Sequence, residues 1–201
     1  MNGAIDELHR YWFGELPGDG RYDAARMHLW FEAGQRYDEE IGARFGALHR
    51  QAAAGELEHW KATPRGWLAL VLLLDQISRH IYRRTPRAFA QDPQAQALVL
   101  EGLEQGVDRR LQPIERTFFY LPLEHAEDLA LQRRSVACFQ ELLAELPAEL
   151  RPDYQGFLDY AIRHLRVIER FGRFPDLNPI LGRDSTAEEL KFLEQPGSSF
   201  L

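Results

Sequence analysis

A chain of 201 residues with 45% hydrophobic content carries enough apolar side chain for one substantial core. Its 31 acidic residues outnumber 24 basic ones for a net charge of -7, the wrong sign for a general nucleic-acid binder. The one cysteine, Cys138, excludes an intrachain disulfide, and the longest apolar run, eight residues, is far too short to cross a bilayer.

The N-terminus MNGAIDELHRYWFG lacks the basic start and apolar run of a secretory signal. With the lone cysteine this points to a cytoplasmic protein with neither nucleic acid nor membrane as partner. The basic residues are almost all arginine, Lys61 and Lys191 being the lysines, which fits composition bias and also suits planar recognition of carboxylate or phosphate.

Helix signals recur along the chain and hairpin signals do not, so the expected fold is all-α, an antiparallel helical bundle or array. Residues 1–201 read as one domain, with N-terminal helices in 1–60 packing on core helices in 64–193. Ile5 to Phe13 is a first helix with Ile5, Leu8 and Trp12 on one face, and Gly14 to Gly20 a loop. A helical region from about Ala24 to Ala54 is broken once near Gly34. Thr63-Pro64 supplies an N-cap and a proline at the first helical position for a helix to about Tyr82. Its stretch WLALVLLLDQISRHIY, Trp67 to Tyr82, opens with eight apolar residues and then carries Asp75 and Arg79 into the buried face.

Arg83 to Ala90, with Pro86, reads as a loop, and Asp92-Pro93 starts a helix to about Gly106. Pro113 starts a short helix, and Pro122 is expected to interrupt the chain. A long helix from Leu123 to Leu146 follows, then one from Glu149 to Phe171 closed by Gly172. Ser185 and Glu188 have capping-box spacing for a last helix to about Leu193, and Gln195 to Leu201 is coil.

Helical wheels at roughly 100° per residue place polar groups among the apolar ones. His125, Asp128 and Gln132 share a face with Leu129, Val136, Phe139, Leu143 and Leu146, whereas Glu124, Glu127, Arg133 and Arg134 fall mostly outside it. His164 lies at the edge of the stripe of Phe157, Ile168 and Phe171. Burying such groups unpaired costs several kcal/mol each, so Asp75, Arg79, His125, Asp128 and His164 are expected to meet at one end of the bundle.

Two roles compete for that cluster. Either His125, oriented by Asp128 and accompanied by His164, is a general acid/base, or Asp75–Arg79 is a helical ion pair and Asp128 a helix-start charge. The spacing of His125, Asp128 and His164 is permissible for a metal but weakly specific, so no metal or cofactor is assigned. Phosphate-cradling glycine loops, a dinucleotide fingerprint, HExxH, paired CxxC and G-x-S-x-G are all absent.

The segment RFGRFPDLNPILGRDST, Arg170 to Thr186, is a second candidate. Arg170, Arg173, Arg183 and Asn178 there, near Arg83, Arg84 and Arg87, suggest a binding site for a small anionic ligand or peptide. This favours a binding module, with a small hydrolase-like enzyme using His125 and Asp128 as the alternative. A third possibility is a homodimer using Tyr11-Trp12-Phe13 or Trp30-Phe31 as contact patch.

The same segments resemble a bacterial family, domain of unknown function 924. The resemblance rests on Tyr11-Trp12-Phe13-Gly14, LALVLLLDQISRHIYR (68–83), FFYLPLEHAEDL (118–129), RFGRFPDLNPILGRDST and the ending QPGSSF, and covers nearly the whole chain. It implies an all-helical, tetratricopeptide-like fold and carries over no activity and no catalytic residues. The chain departs from the family pattern at Ser78, His80, Asp176 and Leu177, where Pro, Asn, His and Arg are usual.

Overall fold

The computed structural model describes residues 3–31 and 35–200, and among these every regular element is helical. The break expected near Gly34 lies outside the described residues.

The central rod begins where the Thr63 hydroxyl accepts the Gly66 N–H at 3.1 Å and Pro64 takes the first helical position. It comprises α4 (Pro64–Leu72), a π-helical turn (Leu73–Ile77) and α5 (Ser78–Ile81). Leu68 to Leu74 and Ile77 are all essentially inaccessible. Each leucine, valine and isoleucine among them contributes roughly 1.5–3 kcal/mol of burial. Around the rod pack α1 (Gly3–Phe13), α3 (Gln35–Ala53), α6 (Asp92–Glu104) and α7 (Pro113–Glu124). The Trp67 indole N–H donates to the Leu98 carbonyl at 3.0 Å and ties the rod to α6.

Gly66 is fixed by the close approach of the preceding turn: a Cβ there would lie 2.2 Å from the Trp60 carbonyl oxygen. Gly66→Ala is therefore expected to lower stability by about 3 kcal/mol, read as a fall in the urea midpoint. A change within ~0.5 kcal/mol would contradict this packing.

Beyond α7 come α8 (Leu129–Glu145) and α9 (Arg151–Phe171), packed as neighbours. Gly172 closes α9 in the left-handed conformation, φ 69°. Short helices α10 (Asn178–Leu181) and α11 (Ala187–Leu193) follow, and Phe192 of α11 joins Phe171, Phe174, Leu177 and Phe200 in a small apolar cluster on Val167 and Ile168. A further short helix, α2 (Met27–Phe31), precedes α3.

Several sequence expectations are corrected. Pro122 does not interrupt the chain: α7 runs through it and ends at Glu124, so the single helix expected from Leu123 to Leu146 is two. The Gln132 amide donates to the Glu124 carbonyl, freed at that end of α7, and to the Ala126 carbonyl just beyond it. The α11 capping box is Thr186 with Glu189, one residue later than read. The expected loop after Tyr82 contains a 3-10 turn, Pro86–Phe89. Trp12, Phe13 and Trp30 are no contact patch, because they are buried against Phe118 at ring separations of 5.7, 5.4 and 4.8 Å. Phe31 alone of that set is well exposed, at 47%.

Candidate active site

The π-helical turn inserts an extra residue into the rod, a geometry that re-aims side chains and recurs at functional sites. Here it buries two adjacent polar side chains, Asp75 and Gln76. Asp75 Oδ2 accepts from the Gln76 amide at 2.6 Å. Asp75 Oδ1 meets His125 Nδ1 at 2.7 Å and Arg79 Nη1 at 3.0 Å. Arg79 in turn makes a bidentate pair with Asp92 at 2.9 and 3.0 Å, which ties the rod to the start of α6.

Burial alone would raise the Asp75 carboxyl. The charges of Arg79 and His125, and the hydrogen bonds from His125 and Gln76, more than offset it and hold the group at about 2. Asp92 moves the other way, because burial, aided by the Asp75 charge, outweighs Arg79.

His125 caps the C-terminal end of α7 and is 19% exposed at the wall of a cavity of about 750 Å³. The cavity lies between the rod, the α5–α6 connection, the end of α7, α9 and the C-terminal segment. Aromatic side chains form much of its wall, among them Phe31, Phe89, Tyr160, Phe174 and Phe200. His164, on α9, is buried beside it, with its ring centroid 6.3 Å from that of His125. Its Nδ1–H donates to the Tyr160 carbonyl at 3.0 Å, and Phe200 stacks on the ring at 3.8 Å. Burial, with further push from the charges of His125, Arg163 and Arg79, lowers His164 to about 3 despite the Tyr160 bond, so it is a neutral wall residue.

The tail holding Phe200 is anchored. Asp176 accepts from the Phe200 N–H at 2.8 Å and the Ser199 hydroxyl at 3.2 Å, and Arg163 donates to the Gly197 carbonyl at 2.7 Å.

The structure brings Asp75, Arg79, His125 and His164 together and leaves Asp128 out. Asp128 is exposed and caps α8 by accepting the Leu131 N–H at 2.9 Å. The carboxylate that orients His125 is Asp75. The loop arginines are also placed differently from the expectation, because each is held by a carboxylate of the chain and none lines the cavity. Arg183 donates to both oxygens of Glu127 at 2.6 and 2.8 Å and to Asn178 Oδ1 at 2.9 Å. Arg173 donates twice to Glu189 and so lowers that carboxyl to about 2. Arg170 pairs with Glu188, and the Asn178 amide donates to the Ser185 hydroxyl at 3.0 Å. This segment is a clasp over the end of α9, knitted by ion pairs.

Of the guanidinium groups that do line the cavity, Arg79 is taken by Asp75 and Asp92, and Arg83 by Asp38 at 2.6 Å. Arg84 is exposed, with no carboxylate partner among the described residues, and its backbone sits at φ 59°, a region costly for a side chain with a Cβ. Glu124 reaches the cavity too, although sequence reasoning put it outside. Its signal was present, since it directly precedes His125, but one wheel drawn from Leu123 to Leu146, across the break between α7 and α8, gave it the wrong phase. Among the described residues no group of three or more His, Cys, Asp or Glu is arranged to hold a metal, and no helix is long and apolar enough to cross a membrane.

Fold and site together define an all-α helical array in which a buried aspartate holds a partly exposed histidine at the wall of a small-molecule-sized cavity. The chain belongs to the family described as "Bacterial protein of unknown function (DUF924)", whose model matches residues 8–197. A solved structure of a protein of unknown function from Agrobacterium tumefaciens is 38% identical and covers 82% of this chain and 88% of its own, with a TM-score of 0.73. A comparison with curated proteins gives no match.

Proposed function

We propose that the chain, folded as one domain, binds a small anionic molecule in this cavity and that His125, oriented by Asp75, acts on it as a general acid/base. The observation that carries the reading is the 2.7 Å contact between His125 Nδ1 and a fully buried carboxylate at the wall of a 750 Å³ space. A carboxylate only accepts, so Nδ1 carries the proton, and in the base form of the ring it is Nε2 that presents a lone pair. No described residue bonds Nε2, which leaves it for a ligand or water. The volume falls within the roughly 300–1,000 Å³ usual for small-molecule sites and is small for a peptide.

Arg84 supports the anionic character of the ligand. The expected result is that a screen of small carboxylates and phosphates by thermal shift yields stabilising compounds. Arg84→Gly should weaken their affinity about tenfold, the loss of one charge-assisted contact. The same change should raise the ligand-free stability by up to ~1 kcal/mol by relieving the left-handed backbone. Compounds that stabilise wild type and variant alike would sink the anionic reading. A second reading, binding without chemistry, is favoured by the aromatic walls, and replacement of His125 separates the two.

A further inference from the structure

We infer that Glu124 is the acid partner of His125 and that the cavity takes small monocarboxylates bearing an ester or amide, which water cleaves. This rests on the acid/base reading of His125 given above.

Glu124 is the last residue of α7, 1% exposed, and lines the cavity beside His125. The other carboxylates of the cluster are partnered: Asp75 by His125, Gln76 and Arg79, and Asp92 by Arg79. The Glu124 carboxyl makes no hydrogen bond among the described residues. His164 Nδ1 lies 3.4 Å from it but already gives its proton to the Tyr160 carbonyl. An ionised carboxylate so placed would be buried, uncompensated and close to the Asp75 charge. Burial first, and then that charge, raise Glu124 well above the usual carboxylate range, so the contact with His164 joins two neutral groups and is no ion pair.

A neutral acid beside an oriented imidazole suits a reaction that needs a base and an acid at once. His125 Nε2 takes a proton from water as the water oxygen bonds to the carbonyl carbon. The bond from that carbon to the leaving oxygen or nitrogen breaks as Glu124 gives its proton to that atom. The imidazolium proton then restores Glu124, so one water is divided across one bond. Among the described residues Arg84 is the one guanidinium at the wall without a carboxylate partner, and it matches one negative charge, which favours a carboxylate over a doubly charged phosphate.

The test uses two esters with the same acyl group and free carboxylate, monomethyl glutarate and mono-4-nitrophenyl glutarate. Methoxide needs a proton to leave and nitrophenolate does not. The inference predicts that wild type cleaves both, and that in Glu124→Gln the ratio of methyl to nitrophenyl cleavage falls about 100-fold. An unchanged ratio would overturn the role of Glu124 and leave His125 untouched. Wild type that binds carboxylates but cleaves neither ester would overturn the ester and amide assignment, whereas wild type that binds no carboxylate would remove the cavity reading beneath it. The carbonyl stretch of a protonated carboxylic acid at neutral pH, followed in wild type labelled with ¹³C-glutamate, reads the proton on Glu124 without turnover or substitution. Its absence would overturn the inference.

Discussion

Asp75→Asn is expected to destabilise the protein by about 3 kcal/mol, the low end of what removing one partner of a buried ion pair costs. Arg79 keeps its bidentate partner Asp92, which is why the upper end is not reached. The lost charge leaves His125 with at best a neutral amide oxygen as its orienting acceptor and Gln76 without its ionised neighbour. Acid unfolding should change as well. The folded-state value of Asp75, about 2, lies below the ordinary carboxyl value of 3.8, so its stabilising share is complete above the unfolded value and is lost as pH falls toward 2. That share is about 2 kcal/mol, and Asp75→Asn should lack it. Urea titrations of both proteins between neutral pH and pH ~3 make the comparison. A neutral-pH loss below ~1 kcal/mol would show that the pair contributes little.

His125→Gln is expected to have a small effect on stability and a large one on chemistry. The ring is partly exposed, and Asp75 keeps Arg79 and Gln76 as partners, so the fold should survive with a loss near 1 kcal/mol. Removing the base should cut hydrolysis of mono-4-nitrophenyl glutarate by about 100- to 10,000-fold. If the variant cleaves the ester within twofold of wild type, any observed cleavage arises elsewhere. If it binds carboxylates as wild type does and neither protein cleaves an ester, the cavity is a binding site only.

The rod was legible in sequence because its signals are local. Thr63-Pro64 starts it, eight apolar residues bury it, and a carboxylate inside such a run must find partners. The helix end at Gly172 was legible for the same reason, since a glycine at the close of an apolar period supplies the left-handed cap. The site was legible in part. Asp75, Arg79, His125 and His164 stood out as inward polar groups, but one helix drawn where the chain makes two exchanged the roles of Glu124 and Asp128. A proline normally marks a boundary, yet Pro122 sits in a fully buried helix whose packing outweighs one missing N–H.

The arginines of residues 170–186 were misread for a different reason. Their partners are remote in sequence, Glu127 lying 56 positions from Arg183, so a locally basic segment is neutral once folded. Nothing local signals the π-helical turn, or the seating of Phe200 on His164, which depends on Asp176 and Arg163 anchoring the tail.

The most direct measurement is a crystal structure of the protein with the strongest carboxylate from the thermal-shift screen. The account predicts the compound in the cavity between the rod and α9, with a polar atom within hydrogen-bond distance of His125 Nε2 and its carboxylate toward Arg84. A compound bound outside the cavity, or inside it with His125 turned away and bonded to protein, would contradict the account.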